Sequence, residues 1–469
     1  MPTLIELLTD WMPSRRWFAG SAAPALRHLG SYVLDDPAPE PGVRAIIVPL
    51  IADESGAAAG RAPIVYQVPL VLRDVDTSVE ASGYLGSVVH DGETHAVVDG
   101  PCDPAFARAL LRLVEAEGRA GGERPSDPTT AFGMPMPGAK TGEYATSRVL
   151  SGEQSNTSII YEMRRDGQAA SPLIVKVFRT ISDGENPDVT LQTALASAGS
   201  LRVPPVLGHV SGSWIDPRVP GRLASGHLAF AQEFLPGVED AWRVALRAAE
   251  TGDDFLEAAT SLGEATAETH AILREVMPTA VAGRAEIEAA IGQMRARFDE
   301  AAHAVPDLAR HRDAALAAYE AAAHASWPTL QRIHGDYHLG QVLAVPDRGW
   351  VLLDFEGEPL RPLASRNLPD VPARDVAGML RSFDYVAGSL SMQAGSEQAR
   401  DWAEGARRAF LDGYRRGLVE REGAEAGAVD ERLLAAYELD KAVYEARYEA
   451  LHRPGWLPIP MRAIERILA

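Results

Sequence analysis

Residues 331–343, QRIHGDYHLGQVL, place one carboxylate, Asp336, between His334 and His338; residues 350–359, WVLLDFEGEP, carry a second acid, Asp354, to the end of an apolar run. Imidazole and carboxylate are ordinary zinc ligands, but no later histidine cluster completes a zinc site. A polar turn is the plainest reading of the first segment alone. The two segments together admit a third. In phosphoryl transfer one aspartate orients the attacking hydroxyl and accepts its proton, while an amide and a second aspartate hold magnesium. The pattern of such a site is His-x-Asp, an amide five residues on, and later Asp-Phe-Gly. His334, Asp336 and Gln341 match its first part, and Asp354 and Phe355 its second, with Glu356 in the glycine position. Each match alone is weak, whereas both in this order and spacing are specific. His338 stands where it could position the same hydroxyl.

Such a site needs a lysine for the phosphates and a loop that covers them. LIVKVFR puts Lys176 inside an apolar strand, where an unpaired ammonium is costly and an acidic partner is expected. DGENPDVTLQTAL offers Asp183, Glu185 and Asp188 without saying which. One strand earlier, SGEQSNTS at 151–158 has a single glycine, so Ser155, Asn156, Thr157 and Ser158 would act as phosphate donors in place of bare backbone. QEFLPG at 232–237 falls where strands give way to helices. The backbone of Glu233, Phe234 and Leu235 could meet an adenine edge there, or the segment is a plain linker.

The 469 residues exceed one ordinary core and suggest two or three domains. With 65 acids against 45 bases, the net charge of −20 argues against nucleic acid or an anionic membrane as partner and leaves a small neutral or cationic substrate unopposed. Cys102 is the only cysteine, which excludes an intramolecular disulfide and a multi-cysteine zinc site. The amino terminus lacks the basic start and apolar core of a signal peptide, and no apolar run reaches the ~20 residues of a membrane helix. A cytoplasmic location is expected.

RAIIVPLI and PIVYQVPLVLRDV, set between turn-forming stretches, read as strands, so the first third should be β-rich. YATSRVL, IIYEMRR and PLIVKVFR continue the strand pattern, and helical spacing takes over after residue 240. This order is α+β segregation rather than βαβ alternation.

In sequence order, RRWFAG, GEQSNTS, HGDYHLGQVL, LLDFEGEPLRPL, RDVAGMLRSFDY and YELDKAVYEARYE followed by RPGWLPIP resemble the aminoglycoside phosphotransferase superfamily. More closely, they resemble the actinobacterial maltokinase-like sugar kinases, with their glucosamine kinase branch. The resemblance implies an α+β, two-lobed, kinase-like fold with an extra β-rich cap: 1–90 the cap, 91–236 the ATP-binding lobe, 237–469 a mainly helical lobe with catalytic loop and sugar site. It implies ATP and Mg2+, with Asp336 as base, Gln341 and Asp354 as metal ligands, Glu356 as a further carboxylate at the metal, and Lys176 on the phosphates. Thr190 stands where the family pattern leads one to expect the glutamate that pairs the lysine.

Two reactions fit the resemblance: phosphate transfer to the 6-hydroxyl of glucosamine, or to C1 of maltose. Sugar sites combine aromatic faces with carboxylates, and an ammonium substituent wants a carboxylate partner. YELDKAVYEARYEALHRPGW offers Asp440, Tyr444, Glu445 and Trp456, and Asp440, Tyr444 and Tyr448 share a helix face by i, i+4 spacing. Asp375 in ARDVAGML is placed to cap a helix. The acidity of the chain, and the lack of a basic residue soon after RRWFAG, favour glucosamine. A non-catalytic ATP-binding regulator is the alternative from another class, and the intact base and metal carboxylate count against it.

Overall fold

The β-branched runs of the first half pair as antiparallel strands in two seven-stranded sheets. The computed structural model describes residues 1–75, 83–151, 155–358, 361–394, 398–423 and 429–469. Gly152, Glu153 and Gln154 of the candidate phosphate loop lie outside the described residues. The chain divides into two compact units, 1–193 with 205–236, and 194–204 with 237–469.

In the first unit, one sheet is built from Leu26–Leu34, Val43–Asp53, Ile64–Gln67, Leu70–Asp74, Tyr84–His90 and Glu93–Asp99. Its edge is completed by Thr180–Ile181, which pairs with Tyr66 and Val65. The short helix Leu4–Trp11 is capped by Thr3 and packs Leu7 and Leu8 into a core with Trp17, Ile47, Ile51, Tyr66 and Val68. Trp17, from RRWFAG, is thus a core residue of this sheet. The second sheet runs in the order Arg119–Ala120, Thr130–Pro135, Val206–Ile215, Leu223–Glu233, Gln168–Phe178, Asn156–Arg165, Glu143–Val149. A helix that strand patterning missed, Pro104–Glu115, starts on the Asp103 cap and a proline at its first position, two local start signals.

The second unit is mainly helical, as the periodicity indicates. The helices Leu256–Val276 and Gln398–Glu422 approach so closely that a methyl group on Gly413 would lie 2.0 Å from the Thr260 carbonyl oxygen. A three-stranded sheet, Glu239–Asp240, Val342–Val345 and Gly349–Leu352, stands beside them. Its last two strands form a hairpin that pairs Val342 with Leu352. The residues just outside its open end, Gln341 and Leu353–Asp354, therefore become neighbours. Among the described residues no helix is long and apolar enough to cross a membrane.

Candidate active site

The hairpin explains how amide and acid meet. The Leu353 N–H donates to the Gln341 carbonyl at 2.9 Å, and the Gln341 side-chain amide donates to Asp354 Oδ2 at 3.0 Å. Asp354 sits at φ 61°, a left-handed conformation rare outside glycine, so its placement is imposed by the surroundings. Gln341, Asp354 and Glu356 are all partly exposed. An amide oxygen and carboxylates are hard oxygen donors of the kind magnesium takes. The set fits that metal, with Gln341 and Asp354 joined directly by a hydrogen bond.

The loop carrying Asp336 is pinned from three sides. Asp375, 1% exposed, accepts the backbone N–H groups of His334 and Gly335, each at 2.8 Å, and lies 3.1 Å from His270 Nε2. Burial would raise the Asp375 pKa, but the His270 hydrogen bond and charge, then His334, hold it below the ordinary carboxylate value. Asp375 lies in the first turn of helix Ala373–Ala394. It anchors the loop. His334 donates from Nε2 to the Leu353 carbonyl at 2.8 Å, which leaves Nδ1 to accept the long, 3.4 Å contact from the Asp336 N–H. Both ring nitrogens are used within the protein, so His334 is not a zinc ligand but the link between the Asp336 loop and the Asp354 strand. On the far side Tyr337, buried, shares a 2.9 Å hydrogen bond with Thr266, and Ser382 accepts the Leu339 N–H.

Asp336 itself is partly exposed, with Oδ1 3.2 Å from the ammonium of Lys441, which also donates to Glu358 at 2.9 Å. Neither Lys441 nor Glu358 is singled out by motif reasoning. Burial opposes the Lys441 charge, yet Glu358 and then Asp336 hold its pKa above the ordinary value. Burial likewise works against the Glu358 charge, but Lys441, then Arg374, keep its pKa down at about 2. A composition signal could have found the lysine: of 45 basic residues only three are lysine, and Lys176 and Lys441 are two of them. His338 accepts the Gly340 N–H at Nδ1, 3.1 Å, and burial pushes its imidazole below the usual pKa. It is a neutral ring whose Nε2–H can donate.

Of the carbohydrate contacts expected from helix Glu431–His452, Tyr444 stays with this cluster, its ring 5.3 Å from the Lys441 ammonium. Asp440 does not serve as an open carboxylate. It is 1% exposed and paired with Arg297 at 2.9 Å. Glu445 is paired with the buried guanidinium of Arg381 at 2.8 Å. Burial raises the pKa of both acids, against the pull of those arginines. Spacing put these acids on one helix but could not show that each is paired with an arginine. Trp456 packs on Tyr385, rings 21° apart, with Arg453 above it.

In the first unit Lys176 donates to Asp188 at 3.1 Å, which identifies the acid that sequence left open. Asp188 lies in the first turn of helix Pro187–Ser197, two residues before Thr190, where the family pattern leads one to expect the acid. Ser155 is exposed and Asn156 partly exposed, but Thr157 and Ser158 are buried at the start of strand Asn156–Arg165. The Thr157 hydroxyl accepts a 2.8 Å hydrogen bond from Arg179, a partner the loop reading does not foresee. At the end of strand Leu223–Glu233, the Glu233 and Phe234 N–H groups are taken by the Pro205 and Pro172 carbonyls, both at 2.8 Å.

Comparison with known proteins places the chain in a family. Residues 11–103 match the maltokinase N-terminal cap domain and residues 148–417 the phosphotransferase enzyme family. A glucosamine kinase of Streptacidiphilus jiangxiensis is 32% identical over 256 residues, 51% of this chain and 58% of that protein. One of Mycolicibacterium smegmatis is 28% identical over 334 residues, 68% of this chain and 79% of its own length. The match therefore spans little more than half of the first relative. A solved glucosamine kinase in complex with glucosamine, ADP and inorganic phosphate superposes with a TM-score of 0.67 at 24% identity, and a second crystal form with 0.69 at 23%. Both alignments cover all of each chain and establish the fold. With more than half of its residues under the family model, the chain belongs to the phosphotransferase enzyme family.

Proposed function

We propose that the protein is an ATP- and magnesium-dependent sugar kinase that converts glucosamine to glucosamine 6-phosphate. The observation that carries the kinase reading is the pinned loop that presents Asp336 while the hairpin end joins Gln341 to Asp354. In this reading Asp336 takes the proton of the attacking hydroxyl as its oxygen bonds to the γ-phosphorus of ATP, and the bond from that phosphorus to the ADP oxygen breaks. His338 donates to the same hydroxyl oxygen and fixes its direction. Gln341, Asp354 and Glu356 would hold magnesium, which when bound shields the phosphate charge. Lys176, kept charged by Asp188, contacts the phosphates, with Ser155 and Asn156 as further donors. In this reading the Glu233 carbonyl and the Leu235 N–H, two residues apart, would meet an adenine edge.

Glucosamine is supported by the two glucosamine kinase relatives and by the local charge. Asp336, Lys441 and Glu358 together carry one net negative charge, which tolerates an ammonium substituent. Maltose stands as a second reading, favoured by the maltokinase cap match and by the Lys441 ammonium itself, which suits neutral hydroxyls. The deciding experiment is ADP release with ATP and magnesium over glucosamine, glucose, maltose and N-acetylglucosamine. Turnover with glucosamine alone supports the first reading and turnover with maltose the second. Silence across the panel would return the chain to a non-catalytic, nucleotide-binding role.

A further inference from the structure

The strand that carries Lys176 does not end in its own sheet. After Phe178 the chain crosses at Arg179 and adds Thr180–Ile181 to the edge of the amino-terminal sheet. The crossing is gripped by residues of that sheet. Gln67, buried, donates to the carbonyls of Phe178 and Leu228 at 3.0 and 2.9 Å and accepts from Tyr32, and its own N–H bonds the Arg179 carbonyl at 2.8 Å. The Arg179 guanidinium has no exposure. It donates to Asp99 at 2.8 and 3.2 Å, lies 4.9 Å over the Trp17 ring, and donates from Nε to Thr157 at 2.8 Å. Thr157 pairs with Val177 and Ser158 with Lys176 across the hairpin, so Arg179 grips the strand opposite the lysine at the point where the loop of residues 151–158 ends. Its Nη1 is buried with no hydrogen-bond partner among the described residues, so this is not a saturated ion pair of the core.

We propose that Arg179 is a positioning residue through which Asp99 and Trp17 of the amino-terminal sheet fix the phosphate-binding hairpin. Touching no substrate, it sets the register and direction in which Ser155, Asn156 and Lys176 meet ATP. The proposal rests on the reading that this hairpin binds ATP. Losing the guanidinium should therefore weaken ATP use while leaving sugar use alone, and losing the Thr157 hydroxyl should do the same more mildly.

The test is steady-state kinetics in both substrates, with nucleotide affinity and melting temperature, on Arg179→Met, Thr157→Val, the double variant and Lys176→Met. Arg179→Met is expected to raise KM for ATP about tenfold and Thr157→Val a fewfold, with KM for the sugar moving less than about twofold. The double variant should be no worse than Arg179→Met, because both changes break one linkage. Arg179→Lys should not restore ATP affinity, since an ammonium cannot span Asp99 and Thr157 as a planar fork does. A lowered melting temperature with KM for ATP unchanged in Arg179→Met overturns the proposal. Should that variant fail to fold, an unchanged KM for ATP in Thr157→Val overturns it equally. Lys176→Met separates the two ideas. If it abolishes ATP affinity while Arg179 and Thr157 variants do not, only the positioning role is lost; if it too leaves ATP affinity intact, the nucleotide reading of the hairpin falls with it.

Discussion

Lys176 and Lys441 are held in different ways, and the difference matches what each is asked to do. Lys176 rises from the middle of a strand, where backbone pairing on both sides fixes its root, and is paired with Asp188. Lys441 projects from a helix and bridges two carboxylates, Glu358 and Asp336. That cluster keeps one negative charge, which suits a group that must receive a proton. In the proposed reading one lysine would draw in an anion, while the other keeps two neighbouring carboxylates from repelling each other.

The largest expected effect bears on the second cluster. Asp336→Asn should lower turnover by roughly 10³-fold, within the range for a lost general base, with ATP binding retained. Near-normal turnover in that variant would remove Asp336 from the mechanism. Lys176→Met tests the first cluster and should cost about 10²-fold in kcat/KM for ATP, as expected for one removed charge donor. A loss confined to the sugar KM would show that the lysine serves another site.

Lys441→Met should lower kcat about tenfold, and Lys441→Arg should fail to restore it, because a planar fork does not substitute for a compact ammonium between two oxygens. It also has a pH signature. Glu358 ordinarily titrates near 4.5 and is held at about 2. Its depressed pKa contributes on the order of 3 kcal/mol of stability, complete above ~4.5 and lost as pH falls towards ~2. Without the Lys441 cation, Arg374 is left to oppose burial with less help, so the carboxylate is held down less and its pKa rises towards the ordinary value. Melting temperatures of wild type and Lys441→Met should thus differ most at neutral pH and converge as the solution is acidified below ~5. A gap independent of pH would show that Lys441 is not what holds Glu358 ionised. The smallest effect on activity is expected from Glu445→Gln, with KM for the sugar within about twofold and a lower melting temperature, since it is the partner of a buried arginine. A large rise in that KM would return Glu445 to the sugar site.

The two lysines also show how far sequence could reach. Lys176, Asp336, Gln341 and Asp354 were legible because a strand or a hairpin end imposes short spacing on the residues it brings together. The α+β segregation was legible for a similar reason, since strand and helix periods differ over a few residues. Lys441 with Glu358, and Asp375 with the His334 amide, are joined over 83 and 41 residues respectively. No local period reports such pairings. The same limit hid the partners of Asp440 and Glu445, because Arg297 and Arg381, which pair with them, stand far away in the chain.

The two residues Thr180 and Ile181 give the amino-terminal sheet a dependence on time. They cover the edge strand Ile64–Gln67, yet they leave the ribosome well after Asp99, the last residue of the strands that the sheet draws from the preceding sequence. Until then that strand presents unpaired N–H and C=O groups, the template on which nascent chains pair with one another. A truncated chain ending before residue 180 should therefore be prone to association, and any refolding protocol must carry the chain past this closure before the edge is protected.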